Sequence, residues 1–432
     1  MSRRRSLAGR VLPVIALITM LIAVPVARAQ RPPALAACAP LPGTLLAGGG
    51  RGIVAARSAG PRPNGMALDE AAGRVYINTA TALLVLDAAS GACLRIVPLS
   101  LAFPGPIAVD GRTHIAFAVR GGPDAIEGGM RLIFAARGSS IVAFAGASGA
   151  RLATVPTAAG VTALLADPAR DRVLGISDAE LLVLDGRTGT LLRRVPLPSP
   201  RGTQVHAAAL WSAGTLYVTE PRAIAVLDIA SGALRSTIPL AAGPLDLAVD
   251  ARTRHLFAIE FPPYGTTPGT YVFLATFDAV SGAALRQIRL ATTFVNPESA
   301  IVALDGPRGH LFVYSYASGM NMVDTRTGAV LASGPSDYLP LRGAVTGRSG
   351  QVFVANLNFG EQGGRPGQAQ GSLSVFDTAG AGYPVSPIGY YPTGLVVDQT
   401  TGRLFVTTLG TIADSDGYAV AGTVLVFDLK TL

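Results

Sequence analysis

Residues 83–99 read LLVLDAASGACLRIVPL, and the same pattern returns as LLVLDGRTGTLLRRVPL at 181–197 and as IAVLDIASGALRSTIPL at 224–240. Looser copies are LATFDAVSGAALRQIRL at 274–290 and MNMVDTRTGAVLASGP at 320–335. Each copy is an apolar run, then Asp-x-x-Ser/Thr-Gly, then a second, partly apolar run. The middle five residues are a turn: an Asp or Ser/Thr side chain bonds the backbone ahead of it, and Gly takes the positive φ that sends the chain back. Two strand-length runs joined in this way predict a β-hairpin. Recurrence at a spacing of tens of residues predicts a repeat architecture.

Each repeat also has a first half, seen in PNGMALDEAAGRVYIN at 63–78: a short strand, an Asp-led turn and a second strand. Four short strands per unit predict a propeller blade. The second halves align on Asp87, Asp185, Asp228, Asp278, Asp324, Asp377 and Asp428, and the stretch 139–156 keeps the Ser-Gly turn with Ala145 in the Asp place. First halves end at Asp69, Asp110, Asp167, Asp250, Asp305 and Asp398, with Leu210 and Thr346 standing in. The fold expected is an all-β propeller of eight four-stranded blades, or seven if the irregular second unit is an insertion. The last unit, VLVFDLKTL at 424–432, stops after its third strand. RGIVAARSA at 51–59 can supply the fourth, closing the ring from the N-terminal side and removing an exposed edge. The apolar runs of the third strands fit too, as expected of strands covered on both faces.

The segment 1–29 stands apart. Arg3, Arg4, Arg5 and Arg10 precede an apolar stretch from Val11 to Val26, and Ala27-Arg28-Ala29 fits a small-x-small cleavage site. That is the pattern of a secretory signal peptide, and it predicts an extracytoplasmic protein: secreted, periplasmic or on the cell surface. The apolar run is under 18 residues and is broken by Pro13 and Pro25, too short for a retained membrane span. Residues 30–50, rich in Pro, Ala and Gly, read as an extended arm, and 51–432 as one propeller domain. Without residues 1–29, which carry five Arg and no acid, the net charge falls from +8 to +3. The remaining basic residues are scattered, so no nucleic-acid footprint is visible. An exported chain can keep a disulfide, and Cys38 and Cys93 either bridge the arm to the first repeat or are two separate thiols.

The second strands RVYIN (74–78), TLYVTE (215–220), QVFVAN (351–356) and RLFVTT (403–408) resemble the YVTN (Tyr-Val-Thr-Asn) repeat proteins, the surface-layer-like and quinoprotein-like β-propellers of exported bacterial and archaeal proteins. The resemblance covers about residues 60–432. It implies the fold and says little about function, because the shared residues are structural turns and strands; relatives of similar fold include lactonases and quinone-dependent dehydrogenases.

Chemistry is therefore sought where the repeats disagree. Four residues before the first-half Asp position stand Gly65, Pro106, Ala163, His206, Asp246, Ile301, Arg342 and Gly394. The first strand of a blade is innermost, so these positions face the channel mouth, where converging polar groups form the default ligand site. The candidate ligand-binding residues are His206, Asp246 and Arg342, with Glu298, Asn64 and Gln204 close by. His114, His255 and His310 follow first-half Asp residues by four or five places and read as solvated turn residues. Extra sequence at 120–130, 260–271, 356–372 and 409–422 falls between second and third strands, on the face of the channel mouth; insertions gathered on one face often mark a binding face. Asp414 and Asp416 faintly suggest a calcium loop, but the twelfth position from Asp414 is Leu425 instead of the Glu an EF-hand needs. No nucleophile elbow, P-loop or dinucleotide fingerprint is present.

The sequence predicts a monomeric, non-catalytic scaffold that binds a protein, peptide or small ligand, with no catalytic residue and no resident metal or cofactor. Calcium and a quinone stay open. The alternative is a lactonase- or quinoprotein-type enzyme with its site at the channel mouth.

Overall fold

Leu83, Leu84, Val85 and Leu86, the apolar run of the first hairpin, are all within 2% of complete burial. So are the equivalent runs Leu181–Leu184 and Leu373–Phe376, because each third strand is flanked by its own sheet and covered on both faces. In the computed structural model the described residues are 37–41, 52–100, 103–121, 139–177, 179–197, 206–261, 271–292, 300–315, 319–334, 339–345, 349–357, 371–377, 382–410 and 422–432. The expected signal peptide lies outside them, and residues 35–432 form one compact unit.

That unit is a propeller of eight four-stranded antiparallel blades. Blades 1 to 6 span Met66–Pro98, Phe103–Pro156, Val161–Pro196, Ala207–Pro239, Gly243–Thr292 and Ala300–Gly334, each with its strands in sequential order. The irregular second unit is therefore a full blade. Blades 7 and 8 share one long strand, Gly382–Asp398. Its first part pairs with Gly371–Phe376 as the outer strand of blade 7, and its second part pairs with Arg403–Gly410 as the inner strand of blade 8.

The ring closes as the chain ends suggest. Ile53–Gly60 pairs antiparallel with Gly422–Asp428, completing blade 8 as its outer strand. The arm adds one more layer. Cys38 N–H donates to the Ser58 carbonyl (2.8 Å), Ser58 N–H to the Ala39 carbonyl (2.8 Å) and Leu41 N–H to the Ala56 carbonyl (3.0 Å), so residues 38–41 cover the edge of the closing strand. Cys38 and Cys93 form a disulfide with Cα atoms 5.9 Å apart, joining this arm to the outer strand of blade 1.

The core is a circle of seams. Eight apolar clusters each join two neighbouring blades: Leu174, Ile176 and Leu181 with Leu216 and Leu227 between blades 3 and 4, for example. Val75, Ile77 and Leu84 meet Phe405, Val424 and Val426 across the seam that closes the ring. Burying each such side chain stabilises the fold by roughly 1.5–3 kcal/mol, so a missing blade would leave two apolar faces exposed.

Hairpin turns fit the expected chemistry and add a packing role. Asp228 Oδ1 accepts the Ser231 N–H (2.7 Å) and hydroxyl (2.8 Å), while the Gly232 N–H returns to the Asp228 carbonyl (2.7 Å). Asp87, Asp278 and Asp324 repeat this arrangement. At Ala145 the backbone bonds persist without the carboxylate: Gly149 N–H donates to the Ala145 carbonyl at 2.7 Å. Gly189 and Gly232, at φ 74° and 71°, do more than turn the chain. A Cβ on Gly189 would lie 2.2 Å from the Ala143 Cβ of blade 2, and one on Gly232 would lie 2.3 Å from Val195 of blade 3. The hairpin tip is docked on the preceding blade.

Candidate functional site

The antiparallel order puts the start of every inner strand on the same face as the connection from second to third strand. On this face Gly65, Ala163, His206, Asp246, Ile301, Arg342 and Gly394 share one register level, each opposite the matching residue of its second strand. Pro106 falls in a stretch where the register slips between Pro104 and Ile107. Similar slips precede Ala163, Asp246, Arg342 and Gly394. The bulge is thus a repeated feature of these inner strands and does not single out Asp246.

Two of the candidates come together. His206 Nδ1 lies 3.2 Å from Asp246 Oδ1, across the seam of blades 4 and 5, with the side chains 31% and 21% exposed. The His206 N–H donates to Thr219 Oγ1 (2.8 Å), and the Thr219 N–H donates to the His206 carbonyl (3.0 Å). Asp246 Oδ1 also accepts the Leu247 N–H at 2.8 Å. Thr219 is a site residue that sequence reading misses, since a Thr in a YVTN-like strand looks like ordinary β-propensity.

Asn64 has a structural task. Its side-chain amide donates to the Pro104 carbonyl (2.9 Å), tying blade 1 to blade 2. Arg342 sits at the same level in the inner strand of blade 7. Gln204, Glu298, Asp414 and Asp416 lie outside the described residues. Among the described residues there is no group of three or more His, Cys, Asp or Glu side chains that could hold a metal ion.

Buried charge on this face serves the connections between blades. Arg120, at the end of the second strand of blade 2, donates to Asn78 Oδ1 (2.9 Å) and to the carbonyls of Thr79, Ala80 (2.8 Å) and Ser100 (2.8 Å). Burial pushes its guanidinium down to about 10. Glu260, in the matching place of blade 5, has its carboxyl pushed up by burial, opposed by the backbone N–H groups of Ala242 and Ala241. A charged residue closing an otherwise apolar strand was the available signal for both.

The histidines on the opposite face need correcting. They do not share one repeated position, and only His114 is a turn residue, its side chain 44% exposed. His114 takes the left-handed turn position (φ 58°), one place before the strand, where Gly309 and Gly402 stand in other blades. Its Nδ1 lies 2.8 Å from Oδ2 of Asp69, which is completely buried, so the pair ties blade 2 to blade 1. His255 and His310 begin their strands; His255 Nδ1 lies 2.7 Å from the Thr325 carbonyl of blade 6. The Tyr217 hydroxyl makes a similar tie to the Ala279 carbonyl, and Thr113 Oγ1 donates to the Gly186 carbonyl at 2.7 Å. Contacts between blades, which no repeat alignment displays, explain why His114, His255, Tyr217 and Thr113 are polar, whereas the His310 ring lies edge-on to Phe312 of its own strand.

Blade order, ring closure and an inner polar pair define a β-propeller with its site candidates at one end of the channel. A solved structure agrees at the level of fold. BamB from Moraxella catarrhalis superposes with a TM-score of 0.53 at 14% identity, covering 87% of this chain and 99% of that one. The Pan2 WD40 domain of Neurospora crassa gives a TM-score of 0.48 at 12% identity, covering 76% of this chain and 89% of that one. No family model and no curated protein matches the chain. No helix among the described residues is long and apolar enough to cross a membrane.

Proposed function

We propose that this chain is an exported propeller of the YVTN-repeat type that acts as a scaffold, binding a protein, peptide or small ligand on its loop-bearing face without catalysis. The observation that carries this reading is where the long connections fall. Second and third strands are joined through 122–139, 262–270, 358–370 and 411–421 in blades 2, 5, 7 and 8, whereas Asn78 and Ala82 or Glu220 and Ala223 bound tight turns. The long connections all leave on the face that carries His206 and Asp246. Variable length on one face of an otherwise regular array is what a binding surface requires, because the fold tolerates change there. The apolar run after the arginines of residues 3–10 supports export.

The two faces make the test. A photo-crosslinking residue placed in 358–370 or 122–138 is expected to give discrete adducts in cells that express the full chain. The same residue at Arg187 or Arg326, in hairpins of the opposite face, is expected to give none. Adducts confined to the hairpin face, or equal on both, would sink the proposal. Metal analysis and a visible spectrum of the purified chain, together with a lactone and dehydrogenase screen, check the non-catalytic half.

A further inference from the structure

We infer that the outer rim of blades 1 to 3 docks on an anionic lipid surface, its bulged leucines entering the headgroup boundary and its arginines meeting lipid phosphates. This surface lies on the circumference of the ring and does not depend on what the loop-bearing face binds.

A β-bulge recurs at one place in seven blades. Where the fourth strand leaves the hairpin, Cys93 pairs with Leu86 and Arg95 with Val85, so Leu94 has no partner on the third strand. The residues bulged in the same way are Leu152, Leu192, Arg235, Leu285, Leu331 and, in the strand that closes blade 8, Val54. A bulge re-aims the extra side chain. Six of the seven are aliphatic, and those six are 44–53% exposed. Protecting a free sheet edge explains the bulge, but Lys, Glu or Pro serves that task; it does not explain leucine. In blades 1 and 3 a second exposed aliphatic joins the first, Ile96 (43%) and Leu191 (37%). The three outer strands are also continuous. The tip of blade 2 rests on Val97 and Arg95 of blade 1, and the tip of blade 3 on Ala153 of blade 2. Exposed apolar side chains gathered on one surface mark an interaction site.

Charge and shape say what covers the rim. The outer strands hold eight Arg and no acidic residue. With their hairpin turns included, 87–98, 145–156 and 185–196 carry five Arg against two Asp, a net +3, whereas 228–239, 278–292 and 324–334 carry four against three. Arg187 is held by Asp171 and Arg194 by Glu180. Arg193 bonds the Ser231 carbonyl at 3.0 Å, and Arg95 and Arg151 meet no carboxylate among the described residues. Blade 4 ends the row: its bulged residue is Arg235, turned back onto Asp228 and Thr215 Oγ1 (2.8 Å). The rim of a ring is convex, and here it repeats one unit blade after blade, which gives a folded partner neither a pocket to enter nor a single register to choose. A lipid surface needs neither. Leucine enters below the headgroups, the arginine stem lies along it, and the guanidinium bonds phosphate.

Co-sedimentation of the full chain with phosphatidylcholine vesicles, with and without phosphatidylglycerol, tests the docking. Binding is expected to be stronger with the anionic lipid and to fall as salt is raised. Leu94→Ser, Leu152→Ser and Leu192→Ser together are expected to weaken it by about tenfold or more, as are Arg95→Gln, Arg151→Gln and Arg193→Gln together. Leu285→Ser with Leu331→Ser is expected to leave it as it was. Every variant keeps residues 1–29, so the affinity of that segment for lipid is common to all, and an unchanged melting temperature shows that the ring is intact. Equal binding by all variants overturns the inference, as does equal binding with and without phosphatidylglycerol. So does a loss as large from the Leu285 and Leu331 pair, or a lipid-free dimer that the first leucine set dissolves, which would give the rim to a second copy of the chain.

Discussion

On the face where third strands turn into fourth, the blades spell nearly the same five residues. On the opposite face the connection ranges from a tight turn to the stretch 122–139. The difference lies in what each turn touches. A hairpin tip packs on the preceding blade so closely that a Cβ on Gly91, Gly149, Gly189 or Gly232 would come within 2.2–2.7 Å of a neighbouring side chain. Each tip must therefore satisfy its own turn and its neighbour at once. The connections on the other face leave from strand ends that are already pinned, by Arg120 in blade 2 and Glu260 in blade 5, and can lengthen at no cost to the seams. One face is held by the ring; the other is free to acquire a function.

Breaking the ring itself should have the largest effect. Deleting Ile53–Gly60 strips blade 8 of its outer strand and uncovers Val424, Leu425 and Val426, which are wholly buried. It is expected to remove most of the roughly 5–15 kcal/mol that holds a domain folded, read as loss of a cooperative melting transition. A melting temperature equal to that of the intact chain would show that the strand does not close the ring. Next comes the hairpin face: Gly189→Val adds a β-branched side chain at φ 74° against Ala143 and Ala153. Left-handed strain and overpacking together predict a loss of about 2–5 kcal/mol by urea titration. Substituting Gly364, in a long connection of the opposite face, should leave the midpoint unchanged.

The disulfide tests the join between arm and ring. Cys93→Ser opens a loop between residues 55 apart in sequence, and is expected to cost about 2–4 kcal/mol. Hydrogen exchange should show the Ser58 and Leu41 amides losing protection first, because their bonds to Ala39 and Ala56 depend on the tethered arm. Uniform loss of protection around all eight blades would contradict a local clasp.

A smaller effect separates the capped turns from the uncapped one. The Ser231 backbone N–H, then the Ser231 hydroxyl and Arg235, hold the Asp228 carboxyl down to about 2. A carboxyl lowered on folding contributes stability that is complete above its unfolded value near 4 and is lost as the pH falls toward 2. Asp228→Ala is expected to cost about 1 kcal/mol at neutral pH and to flatten stability across that acid window. Ala145 shows that the turn still closes without the carboxylate. A mutant whose acid denaturation matches the parent chain would remove Asp228 from the account.

Repeats made the blade legible, because everything that builds one blade lies within a few tens of residues. LLVLD announces a buried third strand, the Asp-x-x-Ser/Thr-Gly turn announces the hairpin, and the unfinished unit at 424–432 announces its partner near Ile53. What joins blades was hidden. His114 meets Asp69 across 45 positions and Thr113 meets Gly186 across 73. The second duty of Gly189 depends on a side chain of another repeat. The candidate site was legible in position, since His206 and Asp246 break the pattern at one level of the inner strands, but Thr219 was not, because it keeps the pattern.

The smallest expected effect on stability is at that site, and it is the sharpest separation of the two faces. His206→Ala removes a partly exposed ring whose seam is otherwise filled by Leu210, Tyr217, Leu247 and Leu256. It is expected to change stability by no more than about 0.5 kcal/mol, while His114→Ala, which frees a buried carboxylate at Asp69, should cost about 1–3 kcal/mol. The same substitution on an imidazole paired with an Asp then has two outcomes, set by whether that Asp is buried or open. Equal losses in matched thermal melts would mean that the His206 pair is a seam tie like the other. A silent His206→Ala would show that this imidazole, unlike that of His114, does not hold its seam.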